Sequence, residues 1–377
     1  MINHMGTGGV GSSSGSALPF SSSSSPSPSS SSPSPSSTSP SLPFSPSPAS
    51  TSSSSSSPRL SSDVQVLVLA GGLSYERDVS LRSGRRVLDA LRGTGISAFQ
   101  HDADAALLPL LTADPPDAVV IALHGATGED GSLRGVLDLC GIPYVGCDAR
   151  ASRLAWDKPS AKSMLRDAGI PTPDWVALPH DRFSELGAAA VLDRITDHLG
   201  MPLMVKPAQG GSGLGAAVVR EAAELPAAMV GCFAYDSTAL VERFVPGTDI
   251  AVAIVDLGSG PTALPAVEIV PRSGVYDYAA RYTAGLTTWH APARLAPEAT
   301  ARVAETALAA HKALGLRDLS RVDLIVDGDG APQVLGINVS PGLTETSLVP
   351  LAVQAAGLDF GQVLVALVTR AVDRAGG

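Results

Sequence analysis

The sequence predicts a mixed α/β protein whose first part is an open parallel sheet covered by helices, and three observations carry that reading. Short apolar runs alternate with helical spacing between Val64 and Gly146, strand-like runs dominate from Leu203 to Val339, and both regions follow a leader of a different composition. From Ser21 to Ser57, 32 of 37 residues are Ser or Pro. Such a segment cannot bury enough apolar area to offset the entropy of ordering, so residues 1–62 are expected to be a disordered tail, either a flexible appendage or an over-extended start. The body, residues 63–377, is long enough to bury a sizeable core and to divide into two or three domains.

In the body, Val64 to Leu69 (VQVLVL) reads as a buried strand, Gly71-Gly72 as a turn, and SYERDVSLRSGRRVLDALR as a helix. A second strand, Ala118 to Gly125, leads through ATGEDGS into a helix with Ser132 as its N-cap candidate, and IPYVG is a third strand. Ligands of such sheets bind outside the carboxyl ends of the strands, where Glu76 and His124 fall. Ala151 to Gly169 is helical and stops at AGIPTP. Leu203–Pro207, the loop AQGGSGLG and Ala216–Arg220 then read as strand, glycine turn, strand. Ala239–Val245, TDIAVAIVD, ALPAVEIV, SRVDLIVD and PQVLGINV are further strands, with a helix at Pro297–Leu314 and one or two helices closing the chain from Leu351 to Ala375.

Composition narrows the function. The formal net charge of −10, from 26 Lys and Arg against 36 Asp and Glu, argues against a nucleic-acid or anionic-membrane partner. Cys140, Cys147 and Cys232 are odd in number and lack metal-ligand spacing, so they read as reduced thiols of a cytoplasmic protein. The N-terminus has no charged-then-apolar leader and no apolar run approaches the roughly 18 residues of a membrane span, so neither secretion nor insertion is expected.

Several constellations could carry chemistry. The loop Gln209–Gly215 lacks the Lys-Ser/Thr of a P-loop and is followed by a strand, which leaves either a plain hairpin or a flap over a nucleotide with Lys206 reaching the phosphates. Arg321 and Asp323 share one strand face, and Asn338 lies on a neighbouring strand: an Mg²⁺ site beside a charge-stabilising arginine, or an ordinary ion pair. Glu242 and Asp249 flank a turn, either as ribose or ammonium ligands or as solvated carboxylates. Glu76, His124 and Glu129 could recognise an ammonium group, or the histidine could be structural.

Taken in order, these segments resemble the D-alanine:D-alanine ligases of the ATP-grasp superfamily from about Val64 to Phe360. The resemblance rests on GGLSYERDVSLRSG, LHGATGEDGSLRG, DKPSAK, VKPAQGGSGLG, LVERFVPGTD, YDYAARYTAG, RVDLIVD and NVSPGLTETSLVP. It implies a three-domain ATP-grasp fold, α/β at the start and α+β in the ATP-grasp part: an N-terminal substrate-binding domain at 63–147, a central subdomain with the flap at 148–240, and a C-terminal domain at 241–377. It also implies ATP with Mg²⁺ or Mn²⁺, D-alanine as substrate, a dipeptide for peptidoglycan as product, and a cytoplasmic homodimer.

Carried over by residue, the resemblance puts Lys158 and Lys206 on ATP phosphates, Glu242 at the adenine end, Asp249 at the ribose and Ser212 in the flap. Glu76 would lie near the first substrate's ammonium and couple through Ser212 to Tyr282, a residue that favours an amine as acceptor. His124 would line the first subsite, Arg321 and the Gly342 backbone would stabilise the tetrahedral intermediate, and Arg281 (for the usual lysine) with Ser347 would hold the second carboxylate. Asp323 and Asn338 would bind metal. The family's Glu-x-Asn is here Gly336-Ile337-Asn338, with Val334, Gly336 and Asn338 expected on one side, so the bridging carboxylate is missing; Glu345 is a candidate to compensate. That departure keeps open a nucleotide-binding pseudoenzyme, and the flap glycines Gly210 and Gly213, where the family often has Glu and Ser, with Arg281 for lysine, keep open a related amino-acid ligase with other substrates.

Overall fold

The computed structural model describes residues 64–376; the expected tail at 1–62 lies outside the described residues. β1 (Gln65–Leu69), β2 (Ser97–His101), β3 (Ala118–Ile121) and β4 (Tyr144–Val145) form a parallel sheet in the order β2-β1-β3-β4. β1 and β3 are central and buried on both faces, which is why they read as unbroken apolar runs. β2 escapes sequence reading because it is an edge strand, partly exposed, with polar Ser97, Gln100 and His101 among its five residues. The helix Arg77–Gly93 lies close on this sheet, and a side chain at Gly84 would collide with the Ala70 methyl.

β5 (Trp175–Pro179), β6 (Leu203–Pro207), β7 (Ala217–Val219) and β8 (Thr238–Arg243) form an antiparallel sheet in the order β5-β8-β6-β7. Leu203, Val205, Ala239 and Val241 pack there against the helices Ala188–Leu199 and Leu225–Phe233. The first of these helices left little trace in the sequence, because it buries only Ile195 and Leu199. β8 runs on to Arg243, which pairs with Leu203 of β6.

β9 (Thr248–Asp256), β10 (Pro261–Ala263), β11 (Val267–Pro271), β12 (Thr287–His290), β13 (Leu319–Val326) and β14 (Pro332–Asn338) form the third sheet, antiparallel, in the order β12-β11-β9-β13-β14 with β10 beside β9. The helix Pro297–Ala313 covers one face, and the two closing helices, Leu348–Ala355 and Phe360–Gly376, connect the other face to the first sheet through a shared core. Buried Asp318 pins this junction, accepting from Gly146 N at 2.8 Å and pairing with Arg374 at 2.7 Å. Among the described residues no single helix is long and apolar enough to cross a membrane.

One expectation of strand alternation fails here. Asp323 pairs with Gly336 but Leu324 pairs with Val334, so Leu335 is an extra residue in a β-bulge. Gly336 and Asn338 therefore share the face of Asp323 and Arg321, whereas Val334 turns to the core beside Leu324.

Candidate active site

The fourteen residues picked out from the sequence line two adjoining cavities. The larger, about 250 Å³, is walled by β6, β8, β9, β13, β14 and the flap; the smaller, about 130 Å³, lies toward the first sheet. Glu129, Ser212, Arg281, Arg321 and Asn338 line both.

Local sequence fixes the flap over the larger cavity. Ser212 has φ 53° and Gly213 φ 80°, and a Cβ at Gly213 would come 3.1 Å from the Asp277 and Tyr278 backbone, so glycine allows the flap to meet the start of the short helix Tyr278–Tyr282. Lys158, at the start of a helix capped by Asp157, donates to Gly210 O at 2.7 Å and Pro207 O at 3.2 Å, holding the flap's base. Burial and then neighbouring Lys206 bring its ammonium down to about 8.

Below the flap, Glu242 is clamped between Lys206 (2.6 Å) and Lys162 (2.8 Å). Burial pushes its carboxyl up, but the two ammonium groups overcome that and hold it below the usual range. Lys206 also donates to the carbonyl of bulged Leu335 at 3.2 Å. Lys162 was missed in the sequence; its DKPSAK spacing puts it one helical turn beyond Lys158 on the same face, a signal that could have found it. Asp249 faces the same cavity, raised to about 6 by burial.

On the shared wall, Arg321 makes two hydrogen bonds to Asp323, at 2.6 and 2.8 Å, and lies opposite Asn338 in register. Asn338 Oδ1 accepts from Ser340 N at 2.8 Å. Gly336 completes the face with no side chain, and a Cβ there would have nothing within 4 Å. Asp323, Asn338 and Gly336 all line the larger cavity, so one carboxylate and one amide oxygen face it, a set that fits one hard cation completed by phosphate and water, as expected without a side chain at Gly336.

In the smaller cavity Tyr282 donates to Glu76 Oε1 at 3.0 Å across 206 residues. Ser212 Oγ is buried in the same cavity without a hydrogen-bond partner, so the bond between Tyr282 and Glu76 is direct and does not pass through Ser212. Burial raises the Glu76 carboxyl, offset in part by Tyr282, then Arg281. His124 is neutral, driven down to about 4 by burial, and both its nitrogens are engaged, with Ser83 Oγ at 3.1 Å and Ser340 O at 3.0 Å. It shapes the wall but has no nitrogen free for a ligand. Glu129 accepts from Gly125 N at 3.0 Å and is pushed up to about 8 by burial, then by Glu76. Arg281 stacks on Tyr276 at 4.1 Å, and Ser347 bonds to Thr344 under Gly342, where a Cβ would lie 2.8 Å from Ser347 Oγ. Trp289 and Arg82, not picked from the sequence, also line this cavity.

A glycine-rich flap closing a nucleotide-sized cavity between two antiparallel sheets, with an Arg–Asp face on the opposite wall, defines an ATP-grasp ligase. The family described as the D-ala D-ala ligase C-terminus matches residues 164–369, and that described as its N-terminus matches 108–147. A D-alanine–D-alanine ligase of Pelotomaculum thermopropionicum is 38% identical over 313 residues, 83% of this chain and 98% of its own. Among solved structures, the Bacillus anthracis D-alanine–D-alanine ligase complexed with ATP aligns with TM-score 0.69 at 30% identity, covering 83% of this chain and 99% of its own. A D-Ala:D-Ser ligase from Enterococcus faecalis aligns with TM-score 0.71 at 29% identity, covering 82% and 99%. The chain belongs to the D-alanine–D-alanine ligase family.

Proposed function

We propose that this chain joins two D-alanine molecules into D-alanyl-D-alanine, for peptidoglycan, with ATP converted to ADP and phosphate. The observation that carries the reading is the Tyr282–Glu76 hydrogen bond, which brings the short helix Tyr278–Tyr282 over a cavity of about 130 Å³. A carboxylate oxygen of the first D-alanine attacks the γ-phosphorus, ADP leaves, and an acylphosphate forms. The second amine, having lost a proton, attacks the acyl carbon and phosphate departs.

The protein's part is placement and charge. Lys158 and Lys206 hold phosphates, Glu242 and Asp249 the adenine and ribose ends, and Ser212 carries the flap over them. Glu76, fixed by Tyr282, meets the first ammonium. Arg321 and the Gly342 N–H stabilise the tetrahedral oxyanion, and Arg281 with Ser347 receives the second carboxylate. Asp323 and Asn338 would hold one Mg²⁺ or Mn²⁺, which supplies positive charge to phosphate oxygens when bound. We assign residues 63–147, 148–240 and 241–377 to three domains, and we place the enzyme in the cytoplasm as a homodimer.

Incubating the full chain with D-alanine, ATP and Mg²⁺ and identifying products by mass tests this. Dipeptide with ADP is expected; ATP binding without turnover on any amino acid would favour a pseudoenzyme, and a mixed dipeptide would name another substrate.

A further inference from the structure

A third cavity, about 990 Å³, lies outside the site and abuts it: Arg82, Thr344 and Thr346 line both it and the small substrate cavity. Its walls carry three arginines of the helix Arg77–Gly93 (Arg82, Arg85 and Arg86) and three carboxylates, Asp89 on that helix, Glu345 on the substrate loop and Asp359 before the last helix.

Opposite charges around one cavity would normally pair. Among the described residues, none of these six takes part in an ion pair within 4.0 Å. The Arg86 guanidinium carbon moreover lies over the Phe360 ring, 4.9 Å from its centroid, with Nη1 buried and without a hydrogen-bond partner. Charges of both signs without ion-pair partners, five of them on exposed side chains and the sixth, Arg86, seated over Phe360, suit a ligand that is itself dipolar: one whose carboxylate meets guanidinium groups while its ammonium meets carboxylates.

We propose that this cavity is a vestibule that collects a zwitterionic α-amino acid and delivers it past Arg82 and the Thr344–Thr346 loop to the acceptor subsite. The proposal rests on the ligase reading. The cavity under the flap shares no lining residue with this one and meets the substrate cavity through different residues, so an acceptor arriving after ATP would have this way open to it. The vestibule concentrates the acceptor without touching the reacting atoms; it raises the capture rate and leaves the chemical step alone.

Arg85 is the residue to change, because it is exposed and lines only the vestibule. In Arg85→Glu, kcat/KM for D-alanine at saturating ATP should fall about five- to tenfold with kcat unchanged, the deficit should shrink as salt is raised, and Arg85→Lys should restore it. A second readout needs no turnover: saturation-transfer NMR of D-alanine on the full chain with a non-hydrolysable ATP analogue should show weaker binding to Arg85→Glu. Arg85-dependent D-alanine binding by a chain that makes no dipeptide would keep the vestibule and remove the ligase reading. A fall in kcat with KM unchanged, or no change in either readout, would overturn the vestibule. A variant that alters only inhibition by added dipeptide would also overturn it, assigning the cavity to product release.

Discussion

The ammonium of Lys162 and the carboxylate of Glu242 pair at 2.8 Å with both side chains 2% exposed. Lys162 also donates to Thr172 Oγ1, which in turn donates to Val334 O at 2.7 Å, while the other Glu242 oxygen takes Lys206. The pair thus ties the nucleotide wall of the second sheet to the bulged strand of the third. Lys162→Met leaves Glu242 with a single cation in a buried site, and Lys206 is drawn onto it. A stability loss of about 3–5 kcal/mol and a raised KM for ATP are expected, read by urea unfolding and steady-state kinetics. Lys162→Met combined with Glu242→Gln should recover stability but not the KM.

Adding a carboxylate at Gly336 tests the metal site. The position is open, outside the left-handed region, and opposite Asp323. Gly336→Glu should lower the Mg²⁺ concentration for half-maximal rate at least about threefold, since each added charged ligand tightens a hard-cation site. An unchanged Mg²⁺ titration would mean that the position faces elsewhere.

Glu129 makes stability depend on pH. Its folded value is about 8 against an ordinary 4.5. Below 4.5 both folded and unfolded forms carry the proton; between 4.5 and 8 the unfolded chain has released it and the folded one has not, so raising pH favours unfolding. Glu129→Gln keeps an acceptor for Gly125 N–H and removes that penalty. Its advantage over the natural chain should be absent near pH 4.5 and grow to a few kcal/mol (on the order of 2–4) by pH 8, measured by chemical unfolding across pH.

Tyr282→Phe removes the donor to Glu76. The carboxyl, already raised by burial, should rise further, moving the acid limb of the pH–rate profile to higher pH. Loss of a hydrogen bond to a charged group, about 1.5–3 kcal/mol, corresponds to a fall in kcat/KM for D-alanine of roughly ten- to a hundredfold. A flat pH comparison would separate the tyrosine from Glu76.

The central strands β1 and β3 were legible because burial on both faces writes a continuous apolar run, and the flap because its glycines have no other use in a strand pair. The edge strand β2 and the helix Ala188–Leu199 bury too little to leave a period. Glu76 and Tyr282 could be joined only through resemblance, since 206 residues separate them. The bulge at Leu335 was invisible because an extra residue changes which side chains share a face without changing composition, and Val334 went to the wrong side for that reason. Lys162 was overlooked because a buried lysine looks like a surface one until its carboxylate partner, 80 positions on, is in place.

The most direct test of the account is the stoichiometry of the reaction: ADP released per D-alanyl-D-alanine formed, by coupled assay and mass spectrometry, on the full natural chain. One ADP for each dipeptide is the predicted result, and it would mean that Asp323 and Asn338 suffice without a carboxylate at Gly336. Nucleotide bound with neither ADP nor dipeptide released, and both restored by Gly336→Glu, would contradict it.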